Sequence, residues 1–190
     1  MTPLTEGMLL YHGSYCEVAR PDLAKCAKFK DFGQGFYLTT EKRQATSFAK
    51  TSARKAKLDG RMAADANCAW VSVFRVVSLA GLSCFSFQDA DAEWLHCVVA
   101  HRRRDVFVEV RRRMSVFDVI GGKVANDDTN ATITAYMGHV FGRMGSAEAD
   151  RLCISLLIPG RLKDQFCFRS KNALRGLEFI KSARVSLEGR

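Results

Sequence analysis

Two short glycine-bearing segments near the start of the chain constrain its fold more than any other feature. One reads Leu10-Tyr11-His12-Gly13-Ser14, and the other Lys30-Asp31-Phe32-Gly33-Gln34-Gly35-Phe36-Tyr37-Leu38-Thr39-Thr40. Each sets a polar or aromatic side chain among glycines, next to strand-forming residues. Glycine lets a backbone approach a ligand closely and present bare N–H groups. A histidine beside one such glycine and a tyrosine just after two others suit a flat, polar, ribose-bearing ligand.

The rest of the chain must supply a core for these strands. With 190 residues, 47% hydrophobic and 26% charged, it suffices for a single domain over residues 1–190. The apolar runs are too short to span a bilayer, and Met1 to Gly7 carries no secretory pattern. The seven cysteines, at 16, 26, 68, 84, 97, 153 and 167, include no C-x-x-C pair. Most lie among apolar neighbours, so the expectation is buried free thiols in a reducing compartment, neither disulfide framework nor zinc site.

The net charge is +9. Basic residues gather at Arg54, Lys55 and Lys57, at Arg102-Arg103-Arg104 and at Arg111-Arg112-Arg113, the last two flanking a strand-like Val106-Phe107-Val108. These read as solvated faces or as a surface for an acidic partner. Base-stacking aromatics are not interleaved with them, which weakens the nucleic-acid reading.

The patterning predicts mixed helices and short strands without βαβ alternation, hence an α+β fold. Strands are expected from Met8 to His12, in a short run ending near Leu38 after a glycine-punctuated turn over Asp31 to Tyr37, over Ala69 to Val77, over Val116 to Ile120 with Gly121-Gly122 breaking it, over Gln165 to Phe168 and over Glu178 to Val185. A helix capped by Thr39 or Thr40 would place Ala45, Phe48, Ala49, Ser52 and Ala56 inward and stop at Asp59-Gly60. Further helices are expected over Glu93 to Arg103, Thr132 to Met144 and Ala147 to Leu157, with Ser170 capping a short one.

Among chemistry-bearing residues, His12 at a strand end could bond a ribose hydroxyl while Gly13 bonds a carboxamide. Tyr37 has space cleared by Gly33 and Gly35, and its ring could stack on a flat aromatic. Phe36 alternates to the other face and reads as core. A Rossmann fingerprint is absent, and no cysteine has the setting of an activated thiol beside His96, His101 or His139.

The two opening segments, with Arg20-Pro21-Asp22-Leu23 between them, resemble a bacterial family of small ADP-ribosyltransferase-like domains of the DUF3990 type. Glu93-Trp94-Leu95 with Arg102 or Arg103, Phe117-Asp118-Val119-Ile120-Gly121 with Val124-Ala125-Asn126-Asp127-Asp128, and Gln165-Phe166-Cys167-Phe168 followed by Leu177-Glu178-Phe179-Ile180 resemble its later elements in order. The wider class is similar to the catalytic domains of poly-ADP-ribose polymerases and diphtheria toxin.

That resemblance implies a single α+β domain with split, mixed and antiparallel sheets flanked by helices. It implies NAD as substrate and mono-ADP-ribosyl transfer to a macromolecular acceptor, an acidic protein or nucleic acid, with nicotinamide released. His12, Gly13, Ser14, Gly35 and Tyr37 would hold NAD. His12, Tyr37 and Gln165 would serve catalysis. Gln165 stands where the wider class carries a glutamate that orients a ribose hydroxyl. An amide can bond that hydroxyl but carries no charge, so Asp127 or Asp128 is a candidate to supply it, with Asp31 either helping or organising its turn. NAD's pyrophosphate would need cationic partners; Arg20, Lys30, Arg169 and Lys171 lie near the motif segments, and none is singled out by spacing. The expected setting is a bacterial toxin or effector, cytoplasmic or delivered to a target cell, with an antitoxin as a further partner. The competing expectation is a catalytically weak or inactive NAD- or nucleic-acid-binding module on the same fold.

Overall fold

The apolar stretches pair into one open sheet of seven strands, in the order β4-β5-β6-β2-β1-β3-β7. The strands are β1 Leu9–Ser14, β2 Phe36–Thr39, β3 Cys68–Val76, β4 Cys84–Ser86, β5 Val119–Lys123, β6 Asp164–Phe168 and β7 Leu177–Ser186. A computed structural model describes residues 1–125, 127–158, 160 and 162–187. Six helices flank the sheet among the described residues: α1 Lys42–Leu58, α2 Ala92–Arg102, α3 Val108–Met114, α4 Asp127–Met137, α5 Ala147–Leu157 and α6 Lys171–Arg175. β4 and β5 run parallel, and every other neighbouring pair is antiparallel. The α+β class read from the sequence is therefore observed. No described helix is long and apolar enough to cross a membrane.

Side-chain alternation gives the sheet two different faces. Leu10, Phe36, Leu38, Phe74, Phe166 and Phe168 form a continuous apolar layer on one of them. The opposite face carries two separate clusters. Ala45, Ala49 and Ala53 of α1 cover Ala69 and Val71 of β3. Trp94, Leu95, Val98 and Ile133, with Phe32, cover Ile120 and Cys167 at the β5–β6 end. The division between these clusters falls at the β1–β2 boundary.

Several expected elements are displaced for identifiable reasons. The first long helix buries Ala45, Ala49, Ala53 and Ala56, while Phe48 is left 36% exposed. The alanine stripe brings the helix backbone against β1, where a phenyl ring would hold it off. The helix begins beyond Glu41, and Thr39 Oγ1 accepts the Glu41 N–H from outside it.

Gly121 and Gly122 do not break β5 but lie inside it. A Cβ at Gly122 would sit 2.6 Å from the Phe32 ring, and one at Gly121 2.6 Å from Met1. The glycines make room for neighbours. Val106-Phe107-Val108 is not a strand. Phe107 takes a left-handed φ of 46° at the start of α3 and stacks its ring on His96 at 4.2 Å. The helix expected through Met144 ends at Met137, followed by Gly138 and a left-handed His139. β4 was not foreseen. Only Cys97, Cys153 and Cys167 are buried, whereas Cys16 and Cys84 are exposed, and all seven thiols are free.

A candidate site at the seam between two strands

β1 and β2 share one register pair, Tyr11 with Thr39. Beyond it, His12-Gly13-Ser14 and Phe36-Tyr37 have no register partners across that boundary, although β1 stays fully paired with β3 and β2 with β6. The sheet opens along this seam. One side chain bridges it: His12 Nδ1 donates to the Tyr37 carbonyl at 2.8 Å. A carbonyl can only accept, so this bond puts the ring proton on Nδ1. Burial lowers the His12 pKa, which keeps the imidazole neutral and leaves Nε2 as an acceptor. The ring also packs on Phe36 at 4.4 Å.

Tyr37 is half-buried on the clustered face. Its hydroxyl donates to the Gly33 carbonyl at 2.8 Å and accepts the Phe32 N–H at 2.9 Å. It thereby pins the glycine turn that precedes its own strand. Burial, above all, raises its pKa well beyond the ordinary tyrosine value, so it stays protonated in neutral solution. Tyr37→Phe is expected to take the hydroxyl partner from the Gly33 carbonyl and the Phe32 N–H and to cost about 1–2 kcal/mol. Chemical denaturation checks this, and an unchanged midpoint would show that the hydroxyl holds nothing.

Gln165 is 5% exposed on β6, opposite Thr39. Register places it with Tyr37 and Tyr11 on the clustered face, while pleating sends His12 to the other. His12, Tyr37 and Gln165 thus occupy three adjacent strands, with His12 on the face opposite the other two. Gln165 Nε2 lies 2.9 Å from Asp31 Oδ2 and 3.4 Å from the Lys123 carbonyl. Asp31 is 7% exposed and does not organise its own turn. Its Oδ1 takes Arg102 Nη2 at 2.7 Å and Nε at 3.1 Å, and its Oδ2 takes the Ala125 N–H at 3.1 Å. Arg102 also donates to Asn130 Oδ1 and the Ala125 carbonyl.

The remaining expected residues divide. Gly13 lies under α1, where a Cβ would meet the Ala45 carbonyl at 1.9 Å. Ser14 is buried, its Oγ 3.9 Å from Cys16 Sγ. Gly35 is buried against β6, where a Cβ would meet Cys167 Sγ at 2.4 Å and the Phe168 carbonyl at 2.8 Å, so protein packing accounts for that glycine. Asn126 lies outside the described residues. Asp127 and Asp128 begin α4, and their side chains lie outside what is described. Arg169 donates to the Met114 and Phe117 carbonyls, whereas Arg20, Lys30 and Lys171 are exposed.

The arginine runs are not one basic surface. Arg102 is half-buried on Asp31, Arg103 pairs with Asp105, Arg104 lies over the Phe29 ring and Arg113 pairs with Glu93. Burial pushes the Cys97, Cys153 and Cys167 thiols up to about 12, which disfavours a thiolate at these positions. Two surface hollows of about 340 and 580 Å³ lie elsewhere, and neither is lined by His12, Tyr37 or Gln165. No group of three or more candidate metal ligands occurs among the described residues.

Residues 8–179 match the model of a family described as proteins of unknown function, DUF3990. No curated protein matches the chain, and neither does any solved structure.

Proposed function

The chain belongs to the DUF3990 family, and we propose that this member binds NAD at the β1–β2 seam and transfers its ADP-ribose to a macromolecular acceptor. The observation that carries the reading is the seam itself. It opens beside Gly13 and is bridged by a neutral His12 bonded to the Tyr37 carbonyl, with Gln165 one strand further on at β6. His12 Nε2 would accept a ribose hydroxyl, and the unpaired β2-facing edge of Gly13 would meet the nicotinamide carboxamide. The Tyr37 ring would lie against the nicotinamide, and Gln165 would hold the second ribose.

The glycosidic bond from ribose C1′ to nicotinamide breaks, with its electron pair leaving on nicotinamide. The acceptor nucleophile bonds C1′ and gives up its proton. The chain's share of this work is positioning and the electrostatics around the developing positive charge.

One observation favours a second reading, NAD binding without turnover. Gln165 is neutral, and its nearest carboxylate partner, Asp31, is already paired with Arg102. The test is incubation of the protein with labelled NAD and a cell lysate, with calorimetry alongside. Nicotinamide release with label entering a macromolecule, abolished in His12→Ala at an unchanged circular dichroism spectrum, supports transfer. Heat of NAD binding with no release supports the second reading. Neither binding nor release overturns both.

A further inference from the structure

We propose that Asp31 and Arg102 are a positioning pair that fixes Gln165 as a hydrogen-bond acceptor, so that position 165 takes a ligand hydroxyl and excludes a glutamate. This rests on the NAD reading for the identity of the hydroxyl, though not for the orientation of the amide. The two ends of a glutamine amide differ: the nitrogen donates twice and the oxygen only accepts. Gln165 Nε2 faces two acceptors, Asp31 Oδ2 at 2.9 Å and the Lys123 carbonyl at 3.4 Å. Reversing the amide would set its oxygen against a carboxylate and a carbonyl at a position only 5% exposed. Both N–H groups are therefore committed, and Oε1 is the end left to receive a donor from the ligand.

Asp31 can do this only because it is itself held. Arg102 grips Oδ1 through two nitrogens, and the Ala125 N–H shares Oδ2 with Gln165. The guanidinium is fixed in turn by Asn130 and the Ala125 carbonyl. A glutamate at 165 would face the Asp31 carboxylate with a second negative charge and the Lys123 carbonyl with another acceptor. The amide is thus what this surrounding requires: an acceptor towards the ligand and a donor towards Asp31.

The exchange of the two groups tests it. Gln165→Glu buries a carboxyl beside a carboxylate, which raises that carboxyl's pKa above its unfolded value. Between those two values the folded state holds a proton that the unfolded state has lost, so stability falls as pH rises. Gln165→Glu is expected to melt below the unmodified protein by a margin that widens by about 3–5 °C per pH unit at its steepest. In D31N/Q165E the acid and the amide trade places, no carboxylate then faces another across this contact, and the widening should disappear. NAD affinity, read by calorimetry at neutral pH, should fall in Gln165→Glu and return in the exchange variant.

A Gln165→Glu protein that stays within about 1 °C of the unmodified one across the pH range overturns the proposal. So does a D31N/Q165E protein that melts with the same pH dependence as Gln165→Glu. If the unmodified protein fails to bind NAD, the proposed function falls, and the melting comparison still decides how the amide is held.

Discussion

Gly13→Ala is expected to destabilise the fold by about 3 kcal/mol or more and to lower Tm by roughly 6–12 °C. The added methyl would lie 1.9 Å from the Ala45 carbonyl oxygen, 2.7 Å from the Ala49 nitrogen and 2.9 Å from the Ala45 carbonyl carbon. All three are backbone atoms of α1, so no rotamer change relieves the clash. The helix must lift, and the layer it breaks is Ala45, Ala49, Ala53 and Ala56, each fully buried. Lifting exposes that layer along its length, and so the cost exceeds that of one misplaced methyl. Backbone strain contributes nothing, because Gly13 has no positive φ. Gly160→Ala, whose Cβ meets nothing within 4 Å, is the control and should shift stability by less than about 0.5 kcal/mol. Thermal unfolding followed by circular dichroism reads both, and a Gly13→Ala protein as stable as the control would refute the packing account. Loss of NAD binding in Gly13→Ala would therefore report the helix as much as a contact to the ligand.

That double duty shows what could be read from the sequence. Glycine beside a strand-forming run signalled a close approach, and the approach is there. What approaches Gly13 in the structure is α1, 32 residues away by the contact with Ala45, and at Gly35 it is β6. The strands of the sheet other than β4, together with α2, α5 and α6, were legible because their periodicities and caps are local. Asp91, Ser146 and Ser170 each accept an N–H three residues on. The misread elements are those where a distant partner overrides local preference: Phe107 turned by the His96 ring, and Gly121-Gly122 held in β5 beside Phe32 and Met1.

The site followed the same rule. His12, Tyr37 and Gln165 stood out individually, and pairing places them on neighbouring strands. The network beneath them did not stand out. Asp31 reaches Arg102 across 71 positions and Gln165 across 134. Charge spacing carries no trace of such a contact, so Arg102 read as one member of a basic run.

Arg102→Met should prove as costly as any single change in the chain, about 3–5 kcal/mol, because it strands the buried Asp31 carboxylate. The side chains of Arg102 and Asp31 are 15% and 9% exposed, so little solvent is at hand to replace the lost partner. Methionine keeps the length of the arginine stem, which separates loss of charge from loss of packing. The carboxylate would retain the Ala125 N–H and Gln165 Nε2, both neutral donors. Arg102→Lys should recover only part of the loss. A single ammonium restores charge but cannot bond Asp31, Asn130 and the Ala125 carbonyl in one planar geometry. Removing both charges in D31N/R102M should recover most of it, since neither partner is then buried alone. Equilibrium denaturation of the unmodified protein, Arg102→Met, Asp31→Asn and D31N/R102M measures the coupling, with Arg102→Lys alongside. If D31N/R102M is no more stable than Arg102→Met, the ion pair is not what Arg102 contributes. Its bonds to α4 and to the Ala125 carbonyl would then hold this end of the seam, and Gln165 would owe its orientation to Lys123 instead.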